Sequence, residues 1–187
     1  MDACTPHAHH HQPSRRSFLL GAAAVTAGLA GAAALGGTAS AQGLMAQQSN
    51  WRFCTKCYTM FYWGYPTDGV CPAGGAHAAQ GFNFTLPYDV PETPTAQAKW
   101  RFCTKCFAMY YWGYPTDGRC PSGGAHSAQG FNFVLPHDVP ETPTAQAKWR
   151  FCTKCFVMFY WGYPTNGRCA AGSAHSAQGY DFVLPHF

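Results

Sequence analysis

Residues 51–77, WRFCTKCYTMFYWGYPTDGVCPAGGAH, recur twice more along the chain, and this recurrence constrains the fold more than any other feature. Each copy carries a C-x-x-C pair, a third cysteine after thirteen intervening residues and a histidine after five more. The three sets are Cys54, Cys57, Cys71 and His77; Cys103, Cys106, Cys120 and His126; and Cys152, Cys155, Cys169 and His175. Three thiolates and one imidazole complete a tetrahedral shell for Zn²⁺ and leave no open coordination position, so the spacing predicts three structural zinc ions per chain. A module of fewer than forty residues cannot bury enough apolar surface by itself and needs such a staple. Disulfides are the competing use of these cysteines, but three per copy leave one unpaired in each. A redox C-x-x-C would ask for an α/β setting that the sequence does not suggest.

Trp51, Trp100 and Trp149 set a period of 49 residues. Boundaries drawn on that period give an N-terminal linker at 42–50, modules at 51–87, 100–136 and 149–187, and spacers at 88–99 and 137–148. Each spacer holds the same DVPETPTAQAK, whose two prolines favour an extended polyproline conformation. The modules are therefore expected to be independent beads on semi-rigid spacers. Differences between copies show what a position tolerates. Tyr88 becomes His137 and His186, so no metal ligand is expected there, and Asp68 and Asp117 become Asn166, which suits a tight turn before glycine.

Within a module, Trp51-Arg52-Phe53 alternates as a short strand, Tyr58 to Tyr62 reads as a second and Gly81 to Leu86 as a third. At about 3.3 Å per residue, a second strand reaching Trp63 would carry Cys71 too far from the C-x-x-C turn. The strand must therefore be short and the following loop must fold back. The expected fold is small all-β, three tandem modules of short antiparallel strands joined by Pro/Thr spacers. The C-x-x-C…C-x5-H arrangement resembles zinc ribbons and knuckles, and also the tandem WRxCxKC-type repeats of exported bacterial proteins. It departs from common zinc ribbons in having one C-x-x-C instead of two.

Ser14-Arg15-Arg16-Ser17-Phe18-Leu19-Leu20 resembles the twin-arginine export signature, and a Gly/Ala-rich apolar run and an A-x-A cleavage site ending at Ala41 follow it. Residues 1–41 thus read as a signal peptide, with an uncleaved anchor as the alternative. The resemblance implies passage through the Tat translocase, a periplasmic or secreted destination, and membrane contact only through the signal. It also implies folding in the cytoplasm, where thiols stay reduced and serve as metal ligands.

Beyond Ala41 the net charge is only +3, which provides no basic footprint for nucleic acid. The acidic residues fall in turns or spacers and no Ser/His/Asp grouping stands out, so no enzyme is expected. Arg52, Thr55 and Lys56 read as solvated surface, and Met60, Met109 and Met158 as core filler rather than copper ligands. Of thirty aromatic residues, 29 lie in the repeats, more than modules this small can bury separately. Those at the turn, Tyr62, Trp63 and Tyr65, Tyr111, Trp112 and Tyr114, and Tyr160, Trp161 and Tyr163, are the candidate ligand-binding residues. A tandem binding protein for envelope or extracellular glycan or protein is the function expected. Metal sequestration or thiol-redox chemistry at the cysteines is the alternative.

Overall fold

The structure is a computed structural model that describes residues 45–187. The expected signal peptide, with Arg15, Arg16 and the expected cleavage site after Ala41, lies outside the described residues. The fold is all-β, with three similar antiparallel sheets of three strands each. The first contains β1 (Gln47–Cys54), β2 (Met60–Tyr62) and β3 (Ala79–Pro87) in the order β2-β1-β3. The second repeats this with β4 (Ala96–Cys103), β5 (Met109–Tyr111) and β6 (Ala128–Pro136), and the third with β7 (Ala145–Cys152), β8 (Met158–Tyr160) and β9 (Ala177–Pro185). As the ligand spacing requires, β2 stops at Tyr62 and the chain folds back across residues 63–78.

The sheets are not independent beads. Trp51, Trp100 and Trp149 are fully buried in a single cluster to which every sheet contributes Phe, Met and Leu side chains. The contacts run cyclically. Trp51 meets Phe133 edge-on at 5.1 Å, Trp100 meets Phe182 at 5.0 Å, and Trp149 returns to Phe84 at 5.1 Å. Backbone bonds follow the same circuit, from Tyr62 N–H to the Phe107 carbonyl, Tyr111 N–H to Phe156 and Tyr160 N–H to Tyr58, each 2.9 Å long. The ring is closed, and the third repeat touches the first as the second touches the third.

The presumed spacers are part of this ring. Thr93 and Ala96 exchange backbone hydrogen bonds of 3.0 and 3.2 Å, which makes Pro94-Thr95 the centre of a tight turn. Proline's fixed φ suits the first central position of such a turn as well as it suits polyproline. Strand β4 then begins at Ala96, within the stretch read as spacer. Tyr88, His137 and His186 stack on Phe131, Tyr180 and Phe82 of the following repeat at centroid distances of 3.7, 3.7 and 3.6 Å. The position tolerates Tyr or His because it needs a flat ring, and it is not a ligand.

A bulge in each first strand explains how the tryptophan is held. Residues three apart on a regular strand face opposite sides of the sheet. Between Gln48 and Trp51 the register shifts, and Asn50 sits at φ +69° with its N–H donated to Asn83 Oδ1 at 2.8 Å. The extra residue puts both side chains on one face, and the Trp51 indole N–H reaches Gln48 Oε1 at 3.2 Å. The same bond recurs at 3.1 Å from Trp100 to Gln97 and from Trp149 to Gln146.

One buried hydroxyl breaks the pattern. The Tyr110 hydroxyl is buried without a hydrogen-bond partner, where the other repeats place Phe61 and Phe159. An unpaired buried hydroxyl costs about 1–3 kcal/mol. Tyr110→Phe is therefore expected to stabilise the fold by about 1 kcal/mol in denaturant titration, and a loss of stability would refute this reading.

Candidate functional site

The C-x-x-C pair sits on the turn that leaves the first strand of each sheet. Tyr58 N–H donates to the Cys54 carbonyl at 2.8 Å, and Tyr58 takes φ +67° to close the turn. The returning loop is fixed by Cys71 N–H to the Gly75 carbonyl at 2.8 Å and by Lys56 Nζ to the Gly74 carbonyl at 2.6 Å. Lys56 and its counterparts Lys105 and Lys154 thus pin the ligand loop and are not merely solvated. The result is that Cys54, Cys57, Cys71 and His77 bring their ligand atoms within 4.8 Å of one another, all buried, as do the four residues of each other set.

Two edges of the first cluster are 4.0 Å between Cys54 Sγ and Cys71 Sγ and 3.4 Å from Cys57 Sγ to His77 Nδ1. A tetrahedral ion with bonds of about 2.3 Å to sulfur and about 2.0–2.1 Å to nitrogen spaces its ligands by about 3.8 Å (S···S) and about 3.6 Å (S···N). The residues therefore fit a metal, through Nδ1 of the histidine. All nine cysteines among the described residues are free and buried, and no disulfide joins them.

The other face of each histidine reaches the next repeat. His77 Nε2 donates to the Cys106 carbonyl at 3.1 Å, His126 Nε2 to Cys155 at 3.0 Å, and His175 Nε2 to Cys57 at 3.1 Å. Each acceptor is the backbone of the neighbouring cluster's own ligand cysteine, so three outer-shell bonds make a circuit. Such a bond fixes the tautomer and ring orientation of a metal-ligating histidine. Gly69, at φ +65°, lies so close to the Cys106 carbonyl that a Cβ would collide with it. Phe61 stacks on the His77 ring at 4.6 Å, and Ala78 N–H points at Cys54 Sγ at 3.4 Å.

The proton inventory follows from burial set against the hydrogen bonds and charges within the cluster. In the metal-free cluster, hydrogen bonds from Cys57 and Cys71 hold the Cys54 thiol far below its usual range, while burial pushes Cys57 well above it. Burial disfavours the His77 cation, but the Cys54 and Cys71 sulfurs more than offset this and raise its pKa to about 9. Binding a metal at neutral pH must therefore displace a proton from Cys57 and another from His77. Affinity is expected to rise with pH through neutrality and up to at least about 9. Titration calorimetry in buffers of different ionisation enthalpy checks this, and metal uptake without proton release would contradict it.

The candidate ligand-binding aromatics divide into two groups. Trp63 is 47% exposed and carries the Arg52 guanidinium 5.3 Å above its ring, and Trp112 and Trp161 repeat this with Arg101 and Arg150. Tyr62 and Tyr65 instead line a cleft between the first and second repeats, with Gln48, Phe102, Gln129, Gly130, Phe131 and Phe133. Tyr111 and Tyr114 line its equivalent between the second and third, and Tyr160 and Tyr163 the one between the third and first. Gly64, Gly113 and Gly162 lie directly under the phenol rings of Tyr62, Tyr111 and Tyr160, where no Cβ would fit. Sequence reasoning missed the glutamines and the partner walls. The Gln-x-x-Trp spacing, kept in all three copies, was the available signal.

Comparison with known protein families, characterised proteins and solved structures finds no match to this chain.

Proposed function

We propose that the chain is an exported, non-catalytic binding protein in which each of three zinc ions has a structural role. It recognises cell-envelope or extracellular glycan or protein through exposed aromatic side chains. The observation that carries this reading is that every cysteine and histidine of the candidate metal clusters is buried, while the flat rings left accessible recur three times around one compact unit. A Cys3His shell is closed, so it offers no position at which a substrate could be activated. Three thiolates with one histidine suit zinc over harder cations, which prefer oxygen. Export through the twin-arginine route agrees with cysteines kept as ligands, and the periplasm or the medium is the destination.

The test is binding of residues 42–187, loaded with zinc, to an array of immobilised glycans and isolated envelope proteins. Retention that disappears on chelation is expected. A blank array together with rapid alkylation of the cysteines in the loaded protein would replace this reading with metal storage or thiol chemistry.

A further inference from the structure

We propose that the three clefts between repeats are the binding sites, each taking one uncharged pyranose ring, so that the molecule is a trivalent sugar binder. This rests on the binding function proposed above and places it away from Trp63, Trp112 and Trp161. Each cleft is built from two repeats. The first contributes Gln48, Tyr62 and Tyr65 to one wall, and the second contributes Phe102, Gln129 and Phe131 to the other. The cavities measure about 240, 280 and 220 Å³. That is below the roughly 300–1,000 Å³ of sites for drug-sized ligands, and suits a single ring.

The chemistry of the walls selects the ligand class. None of the eight residues lining any cleft is charged, so neither an anionic nor a cationic ligand finds a counter-charge there. Tyr65 is 49% exposed and Phe131 36%, which offers ring faces to the C–H face of a sugar. One face of Phe131 is already covered by Tyr88 at 3.7 Å, so the ring is held in place before any ligand arrives. Gln48 is the most specific element. Its Oε1 is taken by the buried Trp51 indole, which fixes the amide orientation and leaves the NH₂ group as the free end. Gln97 and Gln146 are locked in the same way by Trp100 and Trp149. A donor oriented by a buried indole needs little reordering on binding, and a hydroxyl-rich neutral ring can accept from it. Gln80, Gln129 and Gln178 are exposed on the opposite walls and supply a second amide. An extended peptide is less well served, because β2, β5 and β8 already spend edge bonds on the neighbouring repeat.

The experiment is a titration of zinc-loaded residues 42–187 with the methyl glycosides of glucose, galactose, mannose and N-acetylglucosamine, followed by ¹H–¹⁵N spectra of the side-chain amides. At least one glycoside is expected to shift the Gln48, Gln97 and Gln146 signals together, at three equivalents per chain. The exposed triple variant Gln80→Ala, Gln129→Ala, Gln178→Ala should keep its zinc and weaken that glycoside about tenfold, the loss of roughly one hydrogen bond per site. Tyr65→Ala, Tyr114→Ala, Tyr163→Ala should abolish binding, whereas Trp63→Ala, Trp112→Ala, Trp161→Ala should leave it unchanged. On a dense glycan surface, three sites should raise apparent affinity by about 10²–10⁴ over the single sugar. Silence of all four glycosides, or stronger binding by a uronic acid, overturns the proposal. If the glycan array is positive but responds only to the Trp63 triple variant, the cleft assignment fails while the binding function stands. A blank array removes the binding function itself.

Discussion

Excised as a single 49-residue repeat, residues 89–137 are expected to be unfolded as a monomer and to assemble with zinc into a homotrimer. In the intact chain, Trp100 is fully buried, and its partners Phe151 and Phe182 both belong to the following repeat. Removing such a contact set from a tryptophan costs about 3–5 kcal/mol, a large share of the stability of any small domain. The lone repeat also loses the acceptor for Tyr111 N–H, which is Phe156, and the ring that stacks on His137, which is Tyr180. A second copy of the same fragment offers the equivalent groups, because Phe102, Phe107, Phe131 and Phe133 of one repeat occupy the places of Phe151, Phe156, Tyr180 and Phe182 of the next. Three copies close the ring, so folding should depend on fragment concentration as well as on metal. Sedimentation with circular dichroism checks this. A folded, monodisperse monomer would show that each repeat carries its own core.

The second large effect concerns the circuit of histidines. Cys120→Ser should remove the second metal and also weaken the first site by about 10–100-fold, the usual cost of losing an outer-shell partner. The first site depends on the second because His77 Nε2 donates to the carbonyl of Cys106, whose turn is anchored by the second cluster. The third site should suffer less, since its histidine donates to Cys57 in the first repeat. Competition with a chromophoric chelator, with metal counted by mass, resolves the three sites. Equal and unaltered affinities at the two remaining sites would show that the circuit carries no coupling.

The Cys3His groups that could hold a metal were legible because chelation imposes both residue type and spacing, and each copy repeats the full set. The short β2 was legible for a related reason, since Cys71 could not otherwise return to Cys54. What stayed hidden was the closure of the ring. Counting aromatics against one small module left a surplus that had to be exposed, but the unit that buries them is all three repeats together. Phe133, for example, is buried against the tryptophan of the repeat before it. Pro91 and Pro94 signalled an extended spacer, and the same fixed φ serves the tight turn that leads into β4. Likewise, exchange of Tyr88 for His137 and His186 excluded a metal ligand without indicating the stacked ring that the position requires. Local chemistry could be read from single residues, whereas contacts made across a period of 49 could not.

The shared aromatic core also modifies the role of the metal. A metal ion at each cluster would not replace a missing interior, because the three tryptophans provide one. It would hold the ends of the sheets where the first strand of each runs into a cysteine turn and its loop returns. Native mass spectrometry of residues 42–187 tests this arrangement most directly. The account predicts one chain carrying three zinc ions, with nine thiols and no disulfide, and loss of the folded charge-state distribution when the ions are stripped. A native-like chain free of metal, or one joined by internal disulfides, would contradict it.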